Sequence, residues 1–196
     1  MKTLIGYKEN DICHLWVLDE NYRNGSFHPG DSCNILNCGY DIYMASCANP
    51  ATMLSYRAVA EQIRAIDDNK PVILDDDLIA AFIIPCLCDM LNSQHLIVKD
   101  SNKNTLPESI LLMQNDKLYY ISSELDFYEV PSFFAVGEIG MELVYAYSMG
   151  YDSDLPIRER IKDYVRRIEK VTRDQKKYAF HIDSKEQKME KVELWF

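Results

Sequence analysis

No stretch of this sequence approaches the roughly 20 uncharged residues that a membrane span requires. The opening Met1-Lys2-Thr3-Leu4-Ile5-Gly6 is too short an apolar run for a signal peptide. The expectation is a cytoplasmic protein with no membrane partner. Positive charge is scarce: 21 Lys and Arg stand against 31 Asp and Glu, a formal charge of −10. Such a field repels phosphate backbones and anionic lipid, so nucleic acid is not an expected partner either. Internal repeats and low-complexity tracts are absent as well. With 196 residues, 47% of them apolar, the chain can bury one substantial core, and residues 1–196 read as a single domain.

Six cysteines are too few for a disulfide scaffold at this length. Cys86 and Cys88 fall in a predicted helix, where two-residue spacing points them about 200° apart and away from a shared ion. Cys13, Cys33, Cys38 and Cys47 lie in or beside apolar strand-like runs and read as small hydrophobes. Apart from His14, the histidines, His28, His95 and His181, are scattered with no metal spacing, and they read as surface or core imidazoles. Neither a metal nor a cofactor site is expected. Cys13 adjoins His14, but neighbours on a strand face opposite ways and cannot share a proton.

What is present is a particular order of elements. Thr3 to Lys8 and Ile12 to Leu18 read as strands joined at Glu9-Asn10-Asp11. An exposed excursion through Asn21 to Gly30 precedes a second strand pair, Cys33 to Cys38 and Asp41 to Cys47, joined at Gly39-Tyr40. Asn49-Pro50 then supplies a cap and a first-turn proline for a helix carrying Met53, Tyr56, Val59, Ala60, Ile63 and Ile66 on one face. A second helix starts at Asp75-Asp76-Asp77, whose carboxylates suit a helix N-terminus better than a cation site. It continues through Leu78, Ile79, Phe82, Ile83, Leu87, Met90 and Leu91, its wide stripe predicting burial on most sides, with a kink at Pro85.

Beyond a polar stretch at Lys99 to Lys103, strands return at Ser109 to Met113, Lys117 to Ser122 and Phe133 to Val136. Gly137-Glu138-Ile139-Gly140 then turns into a helix over Met141 to Met149. Two glycines make this a packing turn before they make it a phosphate loop. A last helix, Pro156 to about Thr172, follows the cap candidates Asp152-Ser153-Asp154. It sets Ile157, Ile161, Val165 and Ile168 against a solvated face of Arg158, Arg160, Lys162, Arg166, Arg167 and Lys170. Tyr178 to Asp183 and Lys188 to Trp195 read as a closing hairpin. Strands, two helices, strands, two helices and strands again describe an α+β protein, in which helix pairs cover antiparallel sheets.

Thr3-Leu4-Ile5-Gly6-Tyr7-Lys8 resembles the first strand of proteasome β-type subunits and their bacterial relatives. Ala45-Ser46-Cys47-Ala48-Asn49-Pro50-Ala51 resembles the turn that opens their first helix. Phe134-Ala135-Val136-Gly137-Glu138-Ile139-Gly140 resembles the junction before their third. The resemblance implies the N-terminal-nucleophile (Ntn) hydrolase fold, a four-layer αββα sandwich, proteasome-like, and assembly into a homo-oligomer, often a ring.

It also implies where chemistry would sit. In that family a leading threonine is nucleophile through its hydroxyl and base through its amine. Placing Thr3 on the family's second threonine puts Lys2 in the nucleophile's place. Asp19 matches the structural aspartate, whereas the catalytic lysine falls at Asn34, the oxyanion-hole glycine near Ala48 and the helper serine at Glu138. Losing the cation beside the nucleophile removes the electrostatic help that lowers the amine's pKa. The reading is therefore a proteasome-like protein lacking the threonine-peptidase set, self-assembling or partner-binding. The alternative is an Ntn-type amide-bond hydrolase activated by removal of Met1-Lys2, with Thr3 and Asp19 catalytic. A third reading is a small-molecule binding protein using a cleft lined by Lys2, Asn34, Ala48 and Glu138.

Overall fold

The computed structural model describes residues 2–19, 34–66, 71–96, 98–100, 103–150, 154–169 and 178–194. Strands β1 (Lys2–Glu9) and β2 (Ile12–Asp19) form the expected hairpin, with Asn10 and Asp11 both at positive φ, which suits the twist of a tight antiparallel turn. β3 (Ile35–Asn37) and β4 (Tyr43–Ser46) pair next. The excursion at 21–30, Cys33 and His28 lie outside the described residues.

Helix α1 (Pro50–Arg64) begins as its sequence predicts: the Asn49 side chain accepts the Thr52 N–H at 3.1 Å, and Pro50 takes a first-turn position where no N–H is missed. The second helical run departs from its expectation. A short α2 (Asp76–Leu78), capped by Asp75, passes into a π-helical stretch, Ile79–Ile83, before α3 (Ile84–Ser93). Pro85 has no N–H for the carbonyl four residues back, and in place of a simple kink the chain widens, with the Ile84 N–H donating to Ile79. Burial on most sides is also not found. Ile79, Ile83, Leu87 and Leu91 form one buried strip, while Ala80, Ala81, Pro85 and Asp89 are exposed on the outer side.

The middle of the chain holds more strand than its composition suggested. β5 (Val98–Asp100) and β6 (Lys103–Thr105) make a small ribbon from the polar stretch. β7 (Ile110–Gln114), β8 (Lys117–Ile121) and the unanticipated β9 (Phe127–Glu129) follow. β10 (Phe133–Gly137) leads into α4 (Gly140–Ser148), then come α5 (Ile157–Glu169), β11 (Tyr178–Asp183) and β12 (Glu190–Glu193). Residues 152–153 and 170–172, assigned above to the cap and end of the last helix, are outside the described set.

Two five-stranded antiparallel sheets result: sheet A in the order β10-β1-β2-β11-β12 and sheet B in the order β3-β4-β7-β8-β9. Period-two alternation decides what each face covers. Leu4, Cys13, Leu15, Val17, Phe180 and Ile182 of sheet A meet Ile35, Tyr43, Ala45, Leu111, Met113 and Leu118 of sheet B in one core between the sheets. The opposite face of sheet A, with Ile5, Tyr7, Trp16 and Leu18, packs under Leu143 of α4 and Ile161, Tyr164 and Val165 of α5. The opposite face of sheet B packs under α1 and the second helical run. The chain is thus a mixed α+β structure of two antiparallel sheets and several helices. Among the described residues no helix is long and apolar enough to cross a membrane.

One residue of the expected solvated face on α5 turns inward. Arg160 is buried, donates from Nε to the Tyr164 hydroxyl at 3.2 Å and lies 4.9 Å over the Tyr147 ring. The α4–α5 contact supplies aromatic faces that a guanidinium can cover without losing all its partners.

Candidate functional site

Pairing register gathers the residues singled out in the sequence at one end of the two sheets. Lys2 opens β1 opposite Asp19 at the end of β2. On its other side β10 ends at Gly137, whose φ is +118° and where a Cβ would meet the Lys2 carbonyl oxygen at 2.2 Å, so only glycine allows this approach. The next residue, Glu138, donates its N–H to that carbonyl at 3.0 Å, with its side chain exposed. From sheet B, Asn34 accepts the Ser46 N–H through its carbonyl at 2.9 Å, and Ser46 Oγ donates to the Ser109 carbonyl at 3.1 Å. Cys47 reaches from this group toward the Leu18 carbonyl, with the sulfur 4.0 Å away. Lys2, Thr3, Asp19 and Glu138 thus lie at one end of sheet A, and Asn34 and Ala48 at the adjoining end of sheet B, and this strand-end region is the candidate mouth.

Orientation within it matters more than proximity. Lys2 shares the strand face of Leu4, toward sheet B, where its ammonium draws down the Glu108 carboxyl while burial pushes that carboxyl up more strongly. Thr3 shares the face of Ile5 and Tyr7 instead. It is fully buried, and its Oγ1 accepts the Ile139 N–H at 3.3 Å at the start of α4. At Ala48, the candidate oxyanion position, the N–H is already donated to Ser46 Oγ at 3.2 Å. Asn34 is buried and brings no cation. Among the described residues this end offers the Lys2 ammonium and the Glu138 carboxyl, while the Thr3 hydroxyl is buried and the Ala48 N–H is already bonded.

Buried thiols do not replace them. Burial pushes Cys13 and Cys38 up to about 12, which leaves them protonated and unreactive. Cys13 lies in the core between the sheets, while His14 faces the helices, as strand alternation requires. The aspartates at the second helical run do cap it: Asp75 accepts the Leu78 N–H at 2.8 Å. All three, with Tyr119, Phe127, Tyr128 and Glu129, also line one open hollow of about 510 Å³, a convergence not visible in the sequence.

A second polar cluster, at the far end of sheet A, was not anticipated. His14 lies opposite Asp183, and Trp16 opposite His181, in the β2–β11 register. His14 Nδ1 is 3.0 Å from His181 Nε2, His181 Nδ1 is 2.6 Å from Glu190 Oε1, and Arg158 of α5 is 2.6 Å from the same oxygen. Tyr7 stacks on His14 with ring centroids 4.4 Å apart. Burial lowers both imidazoles, His14 to about 4, so both are neutral near pH 7. Glu190 is raised by desolvation, but its bonds from Arg158 and His181 prevail and hold it ionised. Scattered histidines gave no local spacing because sheet pairing across 167 residues brings these two together. The one local signal is His181 and Asp183, two apart and therefore on one face of a strand.

No protein-family model and no curated protein matches this chain. Among solved structures it is similar to Thiobacillus denitrificans BPH, with a TM-score of 0.57 and 14% identity over 76% of this chain and 78% of that one. It is likewise similar to Thiobacillus denitrificans BPH in complex with epoxomicin, with a TM-score of 0.55 and 14% identity over 76% of this chain and 79% of that one. At such identity the likeness speaks for the fold alone.

Proposed function

We propose that the chain is a proteasome-like member of the N-terminal-nucleophile hydrolase fold, a four-layer αββα sandwich that has left the threonine-peptidase reaction and acts as a self-assembling or partner-binding protein. The stacked antiparallel sheets, each covered by helices on its outer face, support the architecture, as do the solved structures that share the fold.

The observation that carries the functional part is the direction of Thr3. Its hydroxyl faces away from the mouth and is already engaged with Ile139, whereas the residue that faces sheet B is Lys2, which has no short hydroxyl beside its amine. Removing Met1-Lys2 would leave the Thr3 side chain on the helix side of the sheet, with no cation supplied by Asn34. That geometry weighs against the trimmed hydrolase. Assembly is supported by α4, where Met141 and Tyr145, with Met149 just beyond the helix, are 79%, 64% and 57% exposed at four-residue intervals, an apolar stripe that no other described residue covers.

Intact-mass measurement of the natively produced protein, paired with light scattering, tests this. The expected result is a chain retaining Lys2, eluting as an oligomer and binding no epoxomicin, the molecule held by the similar solved protein. A mass lacking Met1-Lys2 together with hydrolysis of amide substrates would establish the hydrolase instead, and a strict monomer with no partner would remove the assembly reading.

A further inference from the structure

We propose that His14 Nδ1, His181 Nε2 and a carboxylate oxygen of Asp183 form a binding site for a divalent transition-metal ion of the zinc class, with a fourth position open to water or another small ligand. These three ligand atoms all lie within 4.8 Å of one another. They come from β2 and β11 inside a five-stranded sheet: the backbone at His14 and His181 is fixed by pairing on both sides, and that at Asp183 by its pairing with His14.

The distances suit such an ion. Two imidazole nitrogens bound tetrahedrally at 2.0–2.1 Å are separated by about 3.3 Å. The His14 and His181 nitrogens are 3.0 Å apart, with their rings within 14° of parallel. That is the geometry of a shared proton, and a small widening with a ring tilt lets a metal take the same two lone pairs. The chemistry also balances. The Glu190 carboxylate accepts His181 Nδ1–H, which leaves the Nε2 lone pair facing His14. A neutral His14 gives up its Nδ1 proton and carries one on Nε2, so the imidazole changes tautomer with no net loss of charge.

Around these atoms stands the outer shell that metal sites need. Glu190 orients His181 and is itself held by Arg158, a carboxylate–histidine arrangement that fixes the ring and raises its basicity. Asp183 Oδ1 accepts the N–H groups of Lys185 at 2.9 Å and Glu186 at 2.6 Å, which fixes the carboxylate plane. Two imidazoles and one carboxylate select zinc, cobalt, nickel or copper over magnesium and calcium, which prefer all-oxygen shells. Three protein ligands with an open fourth place is the pattern of reactive rather than purely structural zinc sites. The site lies at the opposite end of sheet A from the Lys2 mouth and stands independently of the proposed function.

The test uses the full chain, stripped with a chelator and with accessible thiols alkylated so that Cys86 and Cys88 cannot contribute. Zinc is titrated by calorimetry and cobalt(II) by its visible absorption. The expected result is one equivalent bound, with the intense bands of a tetrahedral cobalt site and a raised melting temperature. His14→Phe keeps the stack on Tyr7 but has no ligand nitrogen, and Asp183→Asn keeps the turn acceptor but loses the charge; each should weaken binding at least tenfold. Glu190→Gln, which touches no metal, should weaken it by about 10- to 100-fold. Should one variant misfold by circular dichroism, the other two decide. No uptake by the alkylated parent chain, or equal uptake by parent and folded variants, overturns the site.

Discussion

Gln114 ends an otherwise apolar strand, yet its buried amide holds the segment before the second helical run. Its Oε1 accepts the Leu74 N–H at 2.6 Å, and its Nε2 donates to the carbonyls of Tyr40 at 2.7 Å and Val72 at 2.8 Å. Gln114→Leu keeps the size but strands three backbone groups, so urea denaturation should show a loss of roughly 2–4 kcal/mol. Nothing around Gln114 in the sequence announces this clip, because its partners are 40 to 74 residues away. A second residue-scale prediction concerns pH. Burial, then the neighbouring His181 and Arg158, depress His14 against the opposing pull of Asp183, from 6.5 to about 4. The unfolded chain therefore binds a proton that the folded one refuses. Stability of the metal-free protein is full above pH 6.5 and falls as pH drops toward about 4, with a limiting slope near 1.4 kcal/mol per pH unit for this histidine. Urea midpoints at pH 7 and 5 should differ, and His14→Phe should flatten the difference. Equal slopes in both proteins would show that His14 binds its proton as readily in the fold as in the unfolded chain.

At the scale of elements, what the sequence shows is whatever is decided within a few neighbouring residues. Asn49-Pro50 and Asp75 mark helix starts because a cap needs only its own side chain and the N–H three residues on. Asn49→Ala and Asp75→Ala should each cost about 1 kcal/mol in thermal or urea unfolding, whereas Asp77→Ala, which caps nothing, should stay within about 0.5 kcal/mol. Equal effects at Asp75 and Asp77 would mean that the charge at this N-terminus matters and the cap bond does not. The β1–β2 hairpin was legible for the same local reason, since Asn10 and Asp11 tolerate positive φ. Less legible was the Ile79–Ile83 π stretch, because apolar residues at three- and four-residue spacing look the same whether the turn is tight or wide. The short strand β9 is held by pairing with β8, by Phe127 against the core and by Glu129 reaching Lys8 and Lys117, while its exposed Tyr128 and Glu129 carry no apolar alternation of their own.

At the scale of the molecule, the order of elements was readable but the meetings between distant strands were not. Nothing local says that β11 inserts beside β2 or that β10 lies against β1, and those two pairings create both the His14–His181 cluster and the Lys2–Gly137 approach. Glu138 meets Lys2 through the Lys2 carbonyl, and Asn34 and Ala48 both bond to Ser46, because the junctions that carry them sit at strand ends. Their roles changed because strand parity, invisible in a motif, turned Thr3 to the helix side. Parity also governs what the molecule presents outward. On α4, Leu143 is fully buried beneath the helix, and the exposed side carries Met141 and Tyr145, with Met149 following, beside Glu142 and Ser148. In the proposed assembly another subunit would cover that stripe, gaining about 25 cal/mol for each Å² of apolar surface removed from water. Met141→Glu combined with Tyr145→Glu places two carboxylates there without touching the core, so the melting temperature should hardly move while light scattering reports a smaller species. If the double variant keeps the parent's mass in solution, assembly runs through another face and α4 has no part in it.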